Sequence, residues 1–419
     1  MSQKERNSKS RKRLHLPFLR GIALLLPLFA IGLFLAGCSR NGQGSGSPIS
    51  LGATLGGSSA ESKSGLPSEL SSNTRYTGDV TSKIEKIVWV AGDKVTVTSA
   101  ECSGSKSADY VLTPVSGQEQ KAIVAPVSND LWWNYSESTH HFYSLYPAKS
   151  SIINTSAKSA TSLSSDGSGT FGAYVLASQS PTYDATLSTA TSRIYQPNMQ
   201  GLYMWSGASV QVKDPVSLTF RSAVTAFEFN IKGELAEELT VESISLTSVS
   251  ESNLPICALS GPFKGKIAQG GGSVSFADVG TEKYIPEAST SNNTITTSLN
   301  DSDAKISTTK SVRATLFALP GSRVSGKSNK LTSLKLTVVL KSGSATLTRT
   351  LFLKDKTTKA LLDFDGRKKY KFTLSVPTFK EVSFTVTEVI EPLNTASDVT
   401  AKDLEVVELD NGGDDFLIW

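Results

Sequence analysis

His140 and His141 are the only imidazoles beyond the first forty residues of this 419-residue chain. Neighbouring side chains on an extended backbone point to opposite faces, so this pair does not chelate one metal ion. A Ser-His-Asp site would have to use one of them, and no nucleophile-elbow pattern accompanies either. Asp410, Asp414 and Asp415 carry charge that could attract calcium, but lack the regular oxygen-ligand spacing of a calcium loop. Gly270, Gly271 and Gly272 precede Val274-Ser275-Phe276 with no Lys-Ser or Lys-Thr, so they read as a turn and not a phosphate loop. The expectation is a non-enzyme with no catalytic residue, no metal ligand and no cofactor.

Two other groups of residues could act. Trp132, Trp133, Tyr135, Phe142, Tyr143 and Tyr146 offer flat rings that suit a carbohydrate face. Phe142, Leu145 and Tyr146 lie in a strand-like context, which makes core packing the reading for most of the cluster. Cys38 is different, because its surroundings specify a modification. The apolar run Gly21 to Gly37 follows a basic stretch and ends in Leu35-Ala36-Gly37-Cys38, the pattern of a signal peptide with a lipobox. Small residues before the cysteine fit the processing peptidase, and the Cys38 thiol takes the diacylglyceryl group. The competing reading is an uncleaved membrane anchor, for which 17 residues is at the short edge. Either one puts the rest of the chain outside the cytoplasm. Ser39, where Asp would favour inner-membrane retention, points to the outer membrane. Cys102 and Cys257 then remain, 155 positions apart; a disulfide is open to them in that compartment, and two isolated thiols is the preferred reading.

Charge narrows the partners. Seven of the 42 basic residues and one of the 38 acidic ones lie in residues 1–37, leaving 35 basic against 37 acidic beyond them. A near-neutral mature chain loses the electrostatic case for nucleic acid.

The elements that would position these groups are strands. Residues 39–74 are rich in Ser and Gly and read as a flexible tether. Inside it, Ile49-Ser50-Leu51-Gly52-Ala53-Thr54-Leu55 alternates apolar with small or polar residues, the period of a half-buried strand. From Ile84 the chain is a succession of short alternating runs rich in Val, Ile, Thr and aromatics, punctuated by Gly-Asp, Ser-Gly and Pro. A second series begins around Lys213-Asp214-Pro215. At the C-terminus, Asn411-Gly412 between apolar runs is a strong hairpin signal, and Phe416-Leu417-Ile418-Trp419 needs a cover.

Several of these segments, in this order, resemble the fimbrillins, or type V pilins, of Gram-negative anaerobes. They are the lipobox at Cys38, a small strand followed by Thr74-Arg75, and Trp89-Val90-Ala91-Gly92-Asp93 leading into Val95-Thr96-Val97. His141-Phe142-Tyr143-Ser144-Leu145-Tyr146-Pro147 resembles the family's aromatic strand. Val216 to Phe220 with Ala226 to Phe229 resembles the start of its second domain, and Arg367 to Tyr370 the run into its late strands. The resemblance implies a lipoprotein precursor cut by an Arg-specific protease, after which a strand from a neighbouring subunit fills the vacated groove. Arg75 matches the cleavage position, and Ile49, Leu51, Ala53 and Leu55 belong to the strand that cutting would release. Four buried side chains at about 1.5 to 3 kcal/mol each suffice to hold a filament before ordering costs. The candidate donor strand lies in residues 403–419, with apolar Leu404, Val406, Leu409, Phe416, Ile418 and Trp419.

The expected fold class is therefore all-β: two tandem β-sandwich (transthyretin-like, Greek-key) domains after a signal peptide and tether. The expected boundaries are 1–37 for the signal peptide, 38–75 for the lipidated tether and removable strand, 76–210 for the first domain and 211–419 for the second. The expected partners are other pilin subunits, the outer membrane through the lipid, an Arg-specific protease and a surface receptor. The competing function is a monomeric outer-membrane glycan-binding lipoprotein using Trp132, Trp133 and Tyr135.

Overall fold

Short runs of Val, Ile, Thr and aromatic residues form strands throughout the computed structural model. It describes residues 46–55, 75–78, 85–148, 162–163, 169–197, 199–267, 274–276, 283–324, 329–354, 360–376, 383–385 and 391–392. Among these residues the helical content is one 3-10 turn at Met199–Gly201, so the protein is all-β there.

Seven strands close a ring: β1 (Leu51–Leu55), β2 (Lys94–Thr98), β3 (Ser107–Val115), β4 (Gln118–Pro126), β5 (Thr139–Tyr146), β6 (Met204–Gln211) and β7 (Val216–Ser222). Around the ring the order is β1-β7-β6-β5-β2-β3-β4 and back to β1. Directions cannot alternate around an odd-numbered ring, so at least one neighbouring pair must be parallel. It is β1 with β7; the other six pairs are antiparallel. A sandwich was expected here, and a closed barrel is found. The reason is that β1 pairs on both sides and joins the two edges that a sandwich would leave open.

The Trp89-Asp93 segment shows why its residue types are needed. Gly92 sits at φ +93°, where a side chain is strained. Its turn lets the Asp93 carboxylate accept the Val90 N–H at 2.8 Å and the Tyr146 hydroxyl at 3.2 Å while buried. Trp89 then packs edge-on against Tyr146 and Phe220, at 5.5 and 5.3 Å between ring centres, in the middle of the barrel core.

A second core lies between two further sheets. Thr225–Gly233, Ser311–Ala318 and Lys368–Val376 belong to one of them, and Leu239–Ser248, Thr294–Ser298, Leu334–Ser342 and Ala345–Phe352 to the other. Phe227, Phe229 and Phe372 meet Leu246, Leu336 and Val338 in one cluster. The division expected at residues 210 and 211 falls at the last residue of β6, whose neighbour in the barrel is β7. The chain crosses that division both ways. Ser192–Gln196 pairs with Ser311–Ala318 in the second part, while Gly261–Ile267 pairs with Gly169–Val175 and sends Phe263 and Ile267 into the barrel core. Gln179 clasps one crossing: its side-chain amide donates to the Phe317 carbonyl at 2.6 Å and its oxygen accepts the Phe317 N–H at 2.9 Å, copying a strand neighbour.

Replacing Asp93 by Ala leaves the Val90 and Tyr146 donors without this acceptor, and a lost buried partner costs about 1 to 3 kcal/mol. Urea unfolding of Asp93→Ala is expected to show a lower midpoint at unchanged slope. An unchanged midpoint would contradict the role given to the turn.

Candidate functional site

The segment 49–55 folds as its alternation requires. Ile49, Leu51, Ala53 and Leu55 turn into the barrel, each at most 7 % exposed, while Gly52 and Thr54 stay half-buried on the other face. On one side β1 runs parallel to β7, with Leu51 beside Val216, Ala53 beside Leu218 and Leu55 beside Phe220. On the other it runs antiparallel to β4, with Gly52 opposite Ile123, Ala53 opposite Ala122 and Thr54 opposite Lys121.

The lead into β1 is held by a third element, the strap 131–135. The Ile49 N–H donates to the Leu131 carbonyl at 3.1 Å, the Trp133 N–H donates to the Ser47 carbonyl at 3.0 Å, and Pro48 bridges Trp132. The Tyr135 hydroxyl donates to the Ser47 hydroxyl at 2.8 Å. A Cβ on Gly46 would lie 1.8 Å from the Trp133 carbonyl oxygen, so the close approach of the two backbones requires glycine. The strap's part was not legible in the sequence; the glycine next to Ser47-Pro48 was its only local trace.

Taking β1 away would leave β4 and β7 each with an unpaired edge and expose the apolar wall behind it. Ile49, Leu51 and Leu55 carry most of the burial, about 5 to 9 kcal/mol by transfer values before ordering costs, and Ala53 adds little. The geometry is that of a slot for one extended strand, which main-chain hydrogen bonds would hold and alternate side chains would register.

Arg75 begins the strand Arg75–Gly78, which pairs antiparallel with Glu85–Val88; Arg75 lies opposite Val88, one residue before buried Trp89. Proteases bind their substrates as single extended strands, so any cut at Arg75 would require this pairing to open first. Cys38 and the donor candidates Leu404, Val406, Leu409, Phe416, Ile418 and Trp419 lie outside the described residues, as do Gly270 to Gly272 and Asp410, Asp414 and Asp415.

The remaining candidates fall into place as packing groups. His140 is fully buried, with Nε2 accepting the Asn134 N–H at 3.2 Å and its ring 4.7 Å from that of Trp133. Burial holds its pKa below the ordinary histidine value. His141 faces the other way and places Nδ1 2.9 Å from Glu101 Oε1. Burial tends to raise the Glu101 carboxyl, but the hydrogen bonds from His141, its own backbone and Ser99 outweigh it and lower the pKa. Trp133 is buried against His140 and Phe142, so the aromatic trio presents Tyr135 to solvent with the Lys213 ammonium 5.0 Å over its ring, and Trp132 only in part. Cys102 and Cys257 are free thiols buried in separate cores. Burial pushes the Cys102 thiol up to about 11, which keeps it protonated and unreactive.

No protein-family model matches the chain, and no curated protein matches it. Among solved structures it is similar to a "putative cell adhesion protein" from Bacteroides ovatus, with 11% identity, a TM-score of 0.43 and coverage of 83% of this chain and 98% of that one. It is also similar to the tip fimbrial protein Mfa3 from Porphyromonas gingivalis, solved with a C-terminal truncation, at 11% identity, a TM-score of 0.34 and coverage of 82% and 100%. A third is a fimbrial assembly protein from Parabacteroides distasonis, at 9% identity, a TM-score of 0.33 and coverage of 82% and 96%. These neighbours are cell-adhesion and fimbrial proteins by name.

If β1 is an integral stave of the barrel, Leu55→Ala will behave as a core truncation and cost about 2 to 5 kcal/mol. Denaturant unfolding of the uncut protein measures this. A loss below about 0.5 kcal/mol, the range of surface substitutions, would mean that β1 is not part of the cooperative fold.

Proposed function

We propose that this protein is a structural or adhesive subunit of a surface fimbrium, exported as a lipoprotein and assembled by strand exchange. In this reading residues 1–37 are a signal peptide, Cys38 carries the lipid at the outer membrane after passage through the periplasm, and an Arg-specific protease cuts after Arg75. Cleavage frees β1, and a strand from residues 403–419 of another subunit takes its place. The finer architecture that goes with this reading is two tandem modules, the first a barrel that becomes an open two-edged sheet when β1 leaves.

The observation that supports it most directly is the place of β1. It is the one barrel strand that a cut at Arg75 would remove, because every other barrel strand begins at Lys94 or later. It also forms the parallel seam with β7 while pairing antiparallel with β4, so its removal opens the ring. A leader that merely tethered the domain would have no reason to occupy four inward positions of its core.

Incubating the purified precursor with an Arg-specific protease is expected to release a fragment containing Ile49 to Leu55 and to produce ladders of polymers on a gel. Deleting residues 403–419 should abolish the ladders and leave a folded monomer. Ladders that persist after the deletion would remove the donor assignment. A trimmed monomer that binds polysaccharide would replace the fimbrial reading with the glycan-binding one.

A further inference from the structure

The strap 131–135 connects the lead of β1 to a buried histidine. Asn134 donates its N–H to His140 Nε2, and Trp133, whose own N–H holds the Ser47 carbonyl, lies edge-on against the same ring. Because Nε2 accepts, the neutral ring carries its proton on Nδ1, and that atom has no hydrogen-bond partner among the described residues. A second proton on His140 would therefore land on Nε2 and face the Asn134 N–H, turning an acceptor into a donor. It would also put a charge between Trp133 and Phe142, with no exposed surface to hydrate it.

We propose that His140 is a proton-sensitive latch on the removable strand: neutral, it fixes the strap that holds residues 46–50, and protonated, it lets the strap and the lead of β1 open. The inference rests on the reading that β1 is the strand this protein gives up. It names the condition, mildly acidic surroundings, under which release is faster.

The sign follows from the two states. In an opened strap the imidazole takes up a proton near its ordinary value of about 6.5, while burial keeps the closed form neutral to lower pH. The opened state therefore binds the proton first, so opening becomes easier as pH falls from about 6.5 and is indifferent above it. The charged groups around the ring are Glu101 and Lys106 from the loop before β3, Glu137 from the turn before β5, and His141 beside it on β5. The two carboxylates favour protonation, while Lys106 and His141 oppose it. Asp130, next to the strap, is raised by burial, so its own protonation favours the closed form and works against the latch in the carboxylate range.

Hydrogen exchange at the Ile49 and Trp133 amides of the uncut, full-length protein tests the latch. Protection, corrected for intrinsic exchange, is expected to fall about tenfold from about pH 7.5 to about pH 5.5, a change of about one pK unit's worth of free energy. His141→Gln should fall in the same way, and His140→Phe should stay flat. Protection that does not change with pH in the unaltered protein, or that falls as steeply in His140→Phe, overturns the proposal. Should His140→Phe not fold, the His140 ring resonances of the unaltered protein decide: their titration must share its midpoint with the loss of protection, and titration without change at Ile49 and Trp133 overturns the latch. Nothing is cut in these measurements. A protein that loses protection in acid but never polymerises after cleavage removes only the strand-exchange reading. One that polymerises but keeps pH-independent protection removes only the latch.

Discussion

The barrel closes through one strand that comes from far outside the run of the others. β1 lies between β4 and β7, and its parallel contact with β7 is the seam that an odd ring of strands requires. Two ladders and three inward side chains meet in this strand, with Ile49 a fourth in its lead, so the edges of β4 and β7 and the wall of the core are covered together. An exposed strand edge beside an apolar wall is the feature that folded proteins most consistently cover, because it pairs with whatever chain it meets. A strand joined to the remainder only by residues 56–74 can cover the slot and still be separable from it.

Much of this was legible in the sequence, and the limits have physical causes. The period-two pattern of Ile49 to Leu55 gave the strand and its inward face, since burial on one face of a strand is a local property of the residues. The Trp89 to Asp93 segment gave a turn, which Asp93 stitches through Val90 and Tyr146. What could not be read locally was which strands neighbour which. Closure into a barrel depends on β1 finding both β4 and β7, more than sixty and one hundred and sixty positions away in sequence. The cross-pairings were hidden for the same reason: Ser192–Gln196 and Gly261–Ile267 each carry an ordinary strand pattern that does not say which core they serve.

The site residues divide in a similar way. Trp133 looks like a sugar platform in sequence because adjacent aromatics without an amphipathic period can face either way, and packing on His140 and Phe142 settled its direction. The strap around it acts through backbone groups, at Ile49 to Leu131 and Trp133 to Ser47, and backbone groups leave no residue signature. Arg75 was singled out by type and position. Its pairing opposite Val88 adds a condition that type alone does not carry: a protease would reach that bond only through local opening.

The central claim is that the strand containing Ile49 to Leu55 fills the slot only until the protein is assembled. The most direct measurement is the N-terminal residue of the protein recovered from assembled material on the cell surface. The account predicts Tyr76, with residues 46–55 gone from the polymer. Polymers whose subunits still begin at Cys38 and retain Ile49 to Leu55 would contradict it.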